Sequence, residues 1–260
     1  MALTYRYVLI FILILFPAKL VSQSAPDSVD ELLRKASRQA DEMNETGALK
    51  TYMEILERDS DHYKALWNAS LLHSVIGHRL DNKNDQQNYF EKATELAEKA
   101  VEHYPDRVHP YYVLAVAKGR ISDIVGTRTR IKLSHEIEDN VQKALDRNPN
   151  HAPSWHLYGV LQSEVANLSR VSRFASRFIS DGLPEASNQK AEEYLKRALK
   201  LNPKSILFYY DLAKHYIRSG QEKRAIPVLE KLLTLEPTIK DNKRHINEAR
   251  ELLDELKKNE

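Results

Sequence analysis

Ten histidines, 37 acidic and 39 basic residues give this 260-residue chain ample groups that bind metals or move protons. Their spacing decides whether chemistry is built in. His73 and His78 lie five apart, as do His151 and His156, whereas two ligands on one helix face need three or four. His135-Glu136 opens like a zinc-protease motif, but Asp139 stands where the second histidine belongs. These histidines read as surface or groove residues. The sequence has no cysteine, which removes disulfides, thiolate zinc sites and cysteine nucleophiles together. It also lacks nucleophile-elbow serines, phosphate-binding loops and dinucleotide glycine fingerprints. Its carboxylates are spread along charged helix faces, where no catalytic pair stands out. No catalytic residue, metal ligand or cofactor is expected.

Two clusters of basic residues suggest binding instead. Arg120, Arg128, Arg130 and Lys132, with Gly119 and Gly126, suit a flexible loop that takes phosphate or carboxylate, or a plain solvated connection. From Leu168 to Ile179, apolar residues recur at helical spacing while Arg170, Arg173 and Arg177 run down another face. That is a basic strip for an anionic partner or membrane surface, or a helix packed on its Val/Phe face with arginines in water. Three N-x-S/T sequons, at Asn44, Asn68 and Asn167, fall within expected helices and read as chance matches. A formal charge of +2 argues against a nucleic-acid partner.

The elements that position these groups are helices. Seven glycines are few for an all-β protein or a nucleotide-binding α/β fold. From Ser28 onward, apolar residues recur every three or four positions with no alternating stretch. Internal repetition is also present. Tyr209, Leu212, Ala213, Tyr216, Gly220, Ala225, Leu229, Leu232 and Pro237 follow the tetratricopeptide order: large, Leu, small, Tyr, turn Gly, small, large, large, Pro. The small residues let paired helices approach, the first large one wedges between hairpins, and proline ends the second helix. One hairpin cannot bury its apolar face alone, so several must stack.

Related units open at Leu32, Trp67, Tyr111 and Trp155 and close at Ser60, Pro105, Pro149 and Pro203. The expected fold is therefore all-α: a tetratricopeptide-like helical-hairpin solenoid over 28–258, of about five pairs plus a cap. The repeats run approximately 29–62, 64–107, 108–151, 152–205 and 206–239, with a capping helix at 240–258. From first to last slot they measure 28, 38, 38, 48 and 28 residues, so the middle three carry insertions. In such an array the first helix of each pair lines the concave side. Asn68, Tyr112, His156, Tyr210 and Lys214, with Arg218 one turn further, are then the candidate groove residues. Aromatic and cationic side chains on a concave face suit capture of a peptide or partner helix.

Residues 1–24 are a separate unit. Arg6 precedes ten apolar residues, Tyr7 to Phe16, and then Pro17 to Ser24. That run is short for a hydrocarbon core of ~30 Å and matches a signal peptide, cleaved before Ala25. Export to a periplasm or to the outside follows. The alternative is an uncleaved anchor from Tyr7 to Val21, the one membrane contact expected. Arg6 and Lys19 are the only charged side chains there, so the remaining chain balances at 37 of each sign.

The insertions carry a resemblance. His109-Pro110-Tyr111-Tyr112-Val113-Leu114-Ala115, Arg130-Ile131-Lys132, His135-Glu136-Ile137 and Lys143-Ala144-Leu145 look like the central region of the regulator of microtubule dynamics proteins. So do His156-Leu157-Tyr158-Gly159 and Ala191-Glu192-Glu193-Tyr194-Leu195. The resemblance runs roughly from Asp30 to Leu256. At Leu161-Gln162-Ser163 the chain differs from the Trp-Cys-Tyr of animal members. It implies an all-helical, non-enzymatic protein-binding role, in an exported relative or, as the alternative, a membrane-anchored adaptor with cytosolic microtubule-related contacts.

Overall fold

The computed structural model describes residues 28–168 and 182–258. The 1–24 segment and Arg170, Arg173 and Arg177 lie outside the described residues. Within them there are eleven helices and no strand. They pair in order: α1 (Val29–Asp41) with α2 (Glu45–Arg58), α3 (Tyr63–Gly77) with α4 (Lys83–His103), α5 (Val108–Ile124) with α6 (Thr127–Arg147). Next come α7 (Ala152–Ala166) with α8 (Asn188–Leu201) and α9 (Ile206–Arg218) with α10 (Glu222–Leu232). Helix α11 (Asn242–Lys258) closes the array against α9 and α10. This is the tetratricopeptide-like solenoid of five pairs and a cap. Among the described residues no helix is long and apolar enough to cross a membrane.

Local chemistry sets the helix starts. Ser28 and Glu31 form a capping box on α1, and the side chains of Asn44, Asn82, Ser187 and Ser205 accept first-turn N–H groups of α2, α4, α8 and α9. Two of the sequons therefore mark helix ends and not interiors: Asn44 caps the start of α2, and Asn167 follows the end of α7.

The pairs close on small side chains. Ala36 with Ala48, Ala115 with Ala144, and Ala213 with Ala225 are fully buried. A close approach falls at Gly159 of α7, where a Cβ would sit 2.9 Å from the backbone nitrogen of Leu195 and 2.6 Å from its Cγ. Only hydrogen fits there. Gly220, between α9 and α10, has φ +71°, a left-handed value that side chains with a Cβ resist. Large residues fill the spaces left: Leu66, Leu195, Leu229 and Leu232 are buried to 0% exposure, each contributing about 1.5–3 kcal/mol.

The insertions of the second and third units lengthen helices. Helices α4 and α6 have 21 residues each, against 14 in α2 and 11 in α10. The basic stretch from Arg120 to Lys132 is therefore not a loop. Only Val125 and Gly126 separate α5 from α6. The Arg130 guanidinium folds back to donate to the carbonyls of Ser122 (2.9 Å) and Val125 (3.4 Å), groups that the end of α5 leaves without helical partners.

One contact joins the two ends of the array. Arg79, after α3, donates to Asp241 through Nε at 2.7 Å and Nη2 at 2.9 Å. It also donates to both carboxylate oxygens of Glu45, at the start of α2. Arg79 and Asp241 are 162 residues apart. The second hairpin and the capping helix are thus clasped across the inner side of the solenoid.

Candidate partner-binding groove

The first helices of the pairs, α3, α5, α7 and α9, follow one another along the inner side, and α11 continues the row. Rings join them. Trp67 of α3 stacks on His109 of α5 at 4.4 Å between centroids, and the Tyr63 hydroxyl meets His109 Nδ1 at 2.9 Å. His151, before α7, lies edge-on to His109 at 5.5 Å and to Tyr112 at 5.0 Å. His156 of α7 stacks on Phe208 of α9 at 4.5 Å, and Tyr210 of α9 stacks on His245 of α11 at 4.9 Å.

Burial makes charging these imidazoles unfavourable. Among the ring-stacked histidines it pushes His151 down to about 4 and lowers His109 and His245; outside the row it also pushes His78 to about 4. Neutral imidazoles pack as flat, partly polar rings. The ladder was visible in part: His62, His109 and His151 recur 47 and 42 residues apart, each at or beside a helix start. Of these, only His151 reads from sequence as a groove histidine, and its ring contacts stay hidden because the partners lie one repeat away. Among the described residues no three His, Asp or Glu side chains are placed to hold a metal.

The six candidate groove residues divide into two sets. Asn68 donates to the carbonyl of Lys64 within its own helix, at 2.7 Å. Tyr112 packs against His151, and burial pushes its hydroxyl up to about 12. His156 Nε2 donates to the Asp211 carboxylate at 2.8 Å, the acceptor fixing the tautomer. Burial is the largest influence on the Asp211 carboxyl and would raise it, but the His156 hydrogen bond together with the charge of Lys214 and the neighbouring imidazoles holds the group below its ordinary range. Asn68 is thus engaged within its own helix, while Tyr112 and His156 serve the contacts between hairpins.

Tyr210, Lys214 and Arg218 come together. With Ile217 of α9 and Glu248, Glu251, Leu252 and Glu255 of α11, they line a hollow of about 460 Å³ open to solvent. The Tyr210 hydroxyl donates to Glu248, and Lys214 Nζ sits 5.1 Å from the Tyr210 ring centre. Arg218 reaches Ser163 Oγ at 3.4 Å, and the same hydroxyl meets His215 Nδ1 at 2.9 Å. Glu164 of α7 is open to solvent yet surrounded by protein, which raises its pKa while Arg218 opposes the shift. The result is an apolar floor between a wall of mixed charge on α9 and an acidic wall on α11. It holds no converging acid, base and nucleophile, and its shape suits a side chain or helix face.

Comparison with known proteins fits this architecture. A family model described as "Regulator of microtubule dynamics protein 1-3" matches residues 27–257. Regulator of microtubule dynamics protein 1 of Pongo abelii is 23% identical over 90% of this chain and 76% of its own length. The Bos taurus protein of that name is also 23% identical, over 85% of this chain and 71% of its own. Among solved structures, a thermophilic TPR protein of Thermus thermophilus superposes with a TM-score of 0.64 at 19% identity, over 86% of this chain and 99% of that one. The fold is thus tetratricopeptide-like by structure as well as by spacing. By the span of the match, which takes in all five hairpins and nearly all of the capping helix, the chain belongs to the regulator of microtubule dynamics family.

Proposed function

We propose that the protein is a non-enzymatic interaction scaffold that holds a peptide or partner helix in the groove between α9 and α11. The observation that carries this is the meeting of Tyr210, Lys214 and Arg218 with Ile217 and Leu252 around one open hollow. An aromatic ring, two cations and an apolar floor bind side chains rather than transform them. A displayed library of random 16-residue peptides tests the reading. Wild-type protein should enrich related sequences, and Ile217→Glu and Leu252→Ala variants that melt normally should lose them. Absence of enrichment, or enrichment unaffected by either variant, overturns it.

Residues 1–24 support export of this scaffold to a periplasm or beyond, through their charge, short apolar run and small residues. A second reading has its own support. The similar curated proteins are named regulators of microtubule dynamics, which favours an adaptor with microtubule-related contacts, and the apolar run within residues 7–21 is the segment that would anchor it if retained. N-terminal sequencing separates them: a mature chain beginning near Ala25 supports export, and an intact Met1 in the membrane fraction supports the adaptor.

A further inference from the structure

We infer that the occupant of the α9–α11 groove is a cationic amphipathic segment, with a bulky apolar side chain seated on Ile217 and Leu252 and Lys or Arg set against the α11 wall. This rests on the groove reading above and adds the chemistry of the partner.

Glu248, Glu251 and Glu255 stand at i, i+3 and i+7 on α11, a single stripe of roughly 10 Å along the helix axis. Glu248 has internal partners: the Tyr210 hydroxyl and, at 3.6 Å, Arg244. Glu251 and Glu255 have no hydrogen bond or ion pair among the described residues. The bases of α11 are largely engaged elsewhere. Lys257 reaches Glu230 of α10 at 2.7 Å, and Arg250 donates to Asn247 at 3.3 Å. Asp254 joins Glu251, Glu255 and Lys258 around an adjoining hollow, so the acidic excess continues along the wall.

The opposite wall does not compensate. Lys214 lies over the Tyr210 ring, and Arg218 is tied to Ser163. Neither cation forms an ion pair among the described residues, but Asp211 stands one turn before Lys214 on α9, and Glu164 follows Ser163 on α7, so each has a carboxylate nearby. With Glu164, Asp211, Glu251, Asp254 and Glu255 set against Lys214, Arg218 and Lys258, the described side chains around the groove carry an excess of two negative charges, and that excess lies on α11. A ligand that covers the apolar floor must bring its own cations to that stripe, and a helix with Lys or Arg three or four residues apart matches its spacing.

The peptides enriched from the random library decide the matter. Wild-type protein should select sequences with Lys or Arg at helical spacing around Leu, Phe or Trp. A synthetic peptide of the consensus should bind the Glu251→Lys/Glu255→Lys protein at least ~10-fold more weakly than wild type, with binding that falls as salt rises. The doubly substituted protein should in turn select acidic peptides. Enriched sequences without basic residues, or binding unchanged in that variant, overturn the inference. If such peptides are still lost on Ile217→Glu, the groove reading stands alone. No enrichment at all overturns both.

Discussion

Arg79→Met removes the guanidinium that clasps Asp241 and Glu45 and leaves a straight apolar side chain of similar reach. The side chains of Arg79, Glu45 and Asp241 are 22%, 14% and 18% exposed, so the loss strands two largely buried carboxylates. Breaking a fully buried pair by removing one partner costs about 3–5 kcal/mol. Water reaches these groups in part, so a discounted cost of about 2–3 kcal/mol is expected here. In wild type, burial acts to raise the Asp241 carboxyl, but Arg79 outweighs it and holds the group below its ordinary range. That stability is present above the unfolded carboxylate pKa and disappears as pH falls through the lower folded value. Urea unfolding at pH 7.5 reads the cost, and small-angle scattering reads the separation of the ends. Arg79→Met should shift the urea midpoint down and raise the radius of gyration, and Asp241→Asn should add little on top. An unchanged midpoint and radius would show that the clasp does not hold the array closed.

Further outcomes follow from the packing. Burial holds His73, His78 and His151 near 4 against 6.5 for a free imidazole, so the unfolded chain takes up protons that the native state refuses. Stability should be flat above pH 7 and fall between about 6.5 and 4, read as melting temperature by circular dichroism; a melting temperature unchanged from pH 7.5 to 5 contradicts the burial of these three imidazoles. Gly159→Ala should cost about 1–3 kcal/mol, because its methyl would press on the Leu195 backbone, and a neutral result in urea unfolding would place α7 and α8 further apart.

Much of the fold was legible because the repeat slots encode contact distances. Ala213 and Ala225 are small where helices touch, and Pro237 and Gly220 stand where chain direction changes. Length beyond the standard repeat was legible too, but not its form. Gly119 and Gly126 suggested a loop, yet Gly119 lies within α5 with open space around it, and Gly126 is the residue before α6. An isolated glycine costs a helix only about 1 kcal/mol, which the packing of α5 on α6 overrides. Tyr210, Lys214 and Arg218, expected on the groove face from their spacing, share one hollow. Periodicity does not reveal that Tyr112 and His156 are engaged by their neighbours, since those partners are set by the stacking of hairpins. The Arg79–Asp241 clasp leaves no local trace at all, because it depends on the curvature of the whole array.

The most direct measurement is photo-crosslinking of a library-selected peptide to full-length protein carrying a benzophenone amino acid. The probe replaces either Ile217, in the groove, or Glu91, exposed on α4. Crosslinking from position 217 and not from 91, competed by unlabelled peptide, is the expected result. Crosslinking from 91 with none from 217 would place the binding surface outside the groove and contradict the scaffold reading.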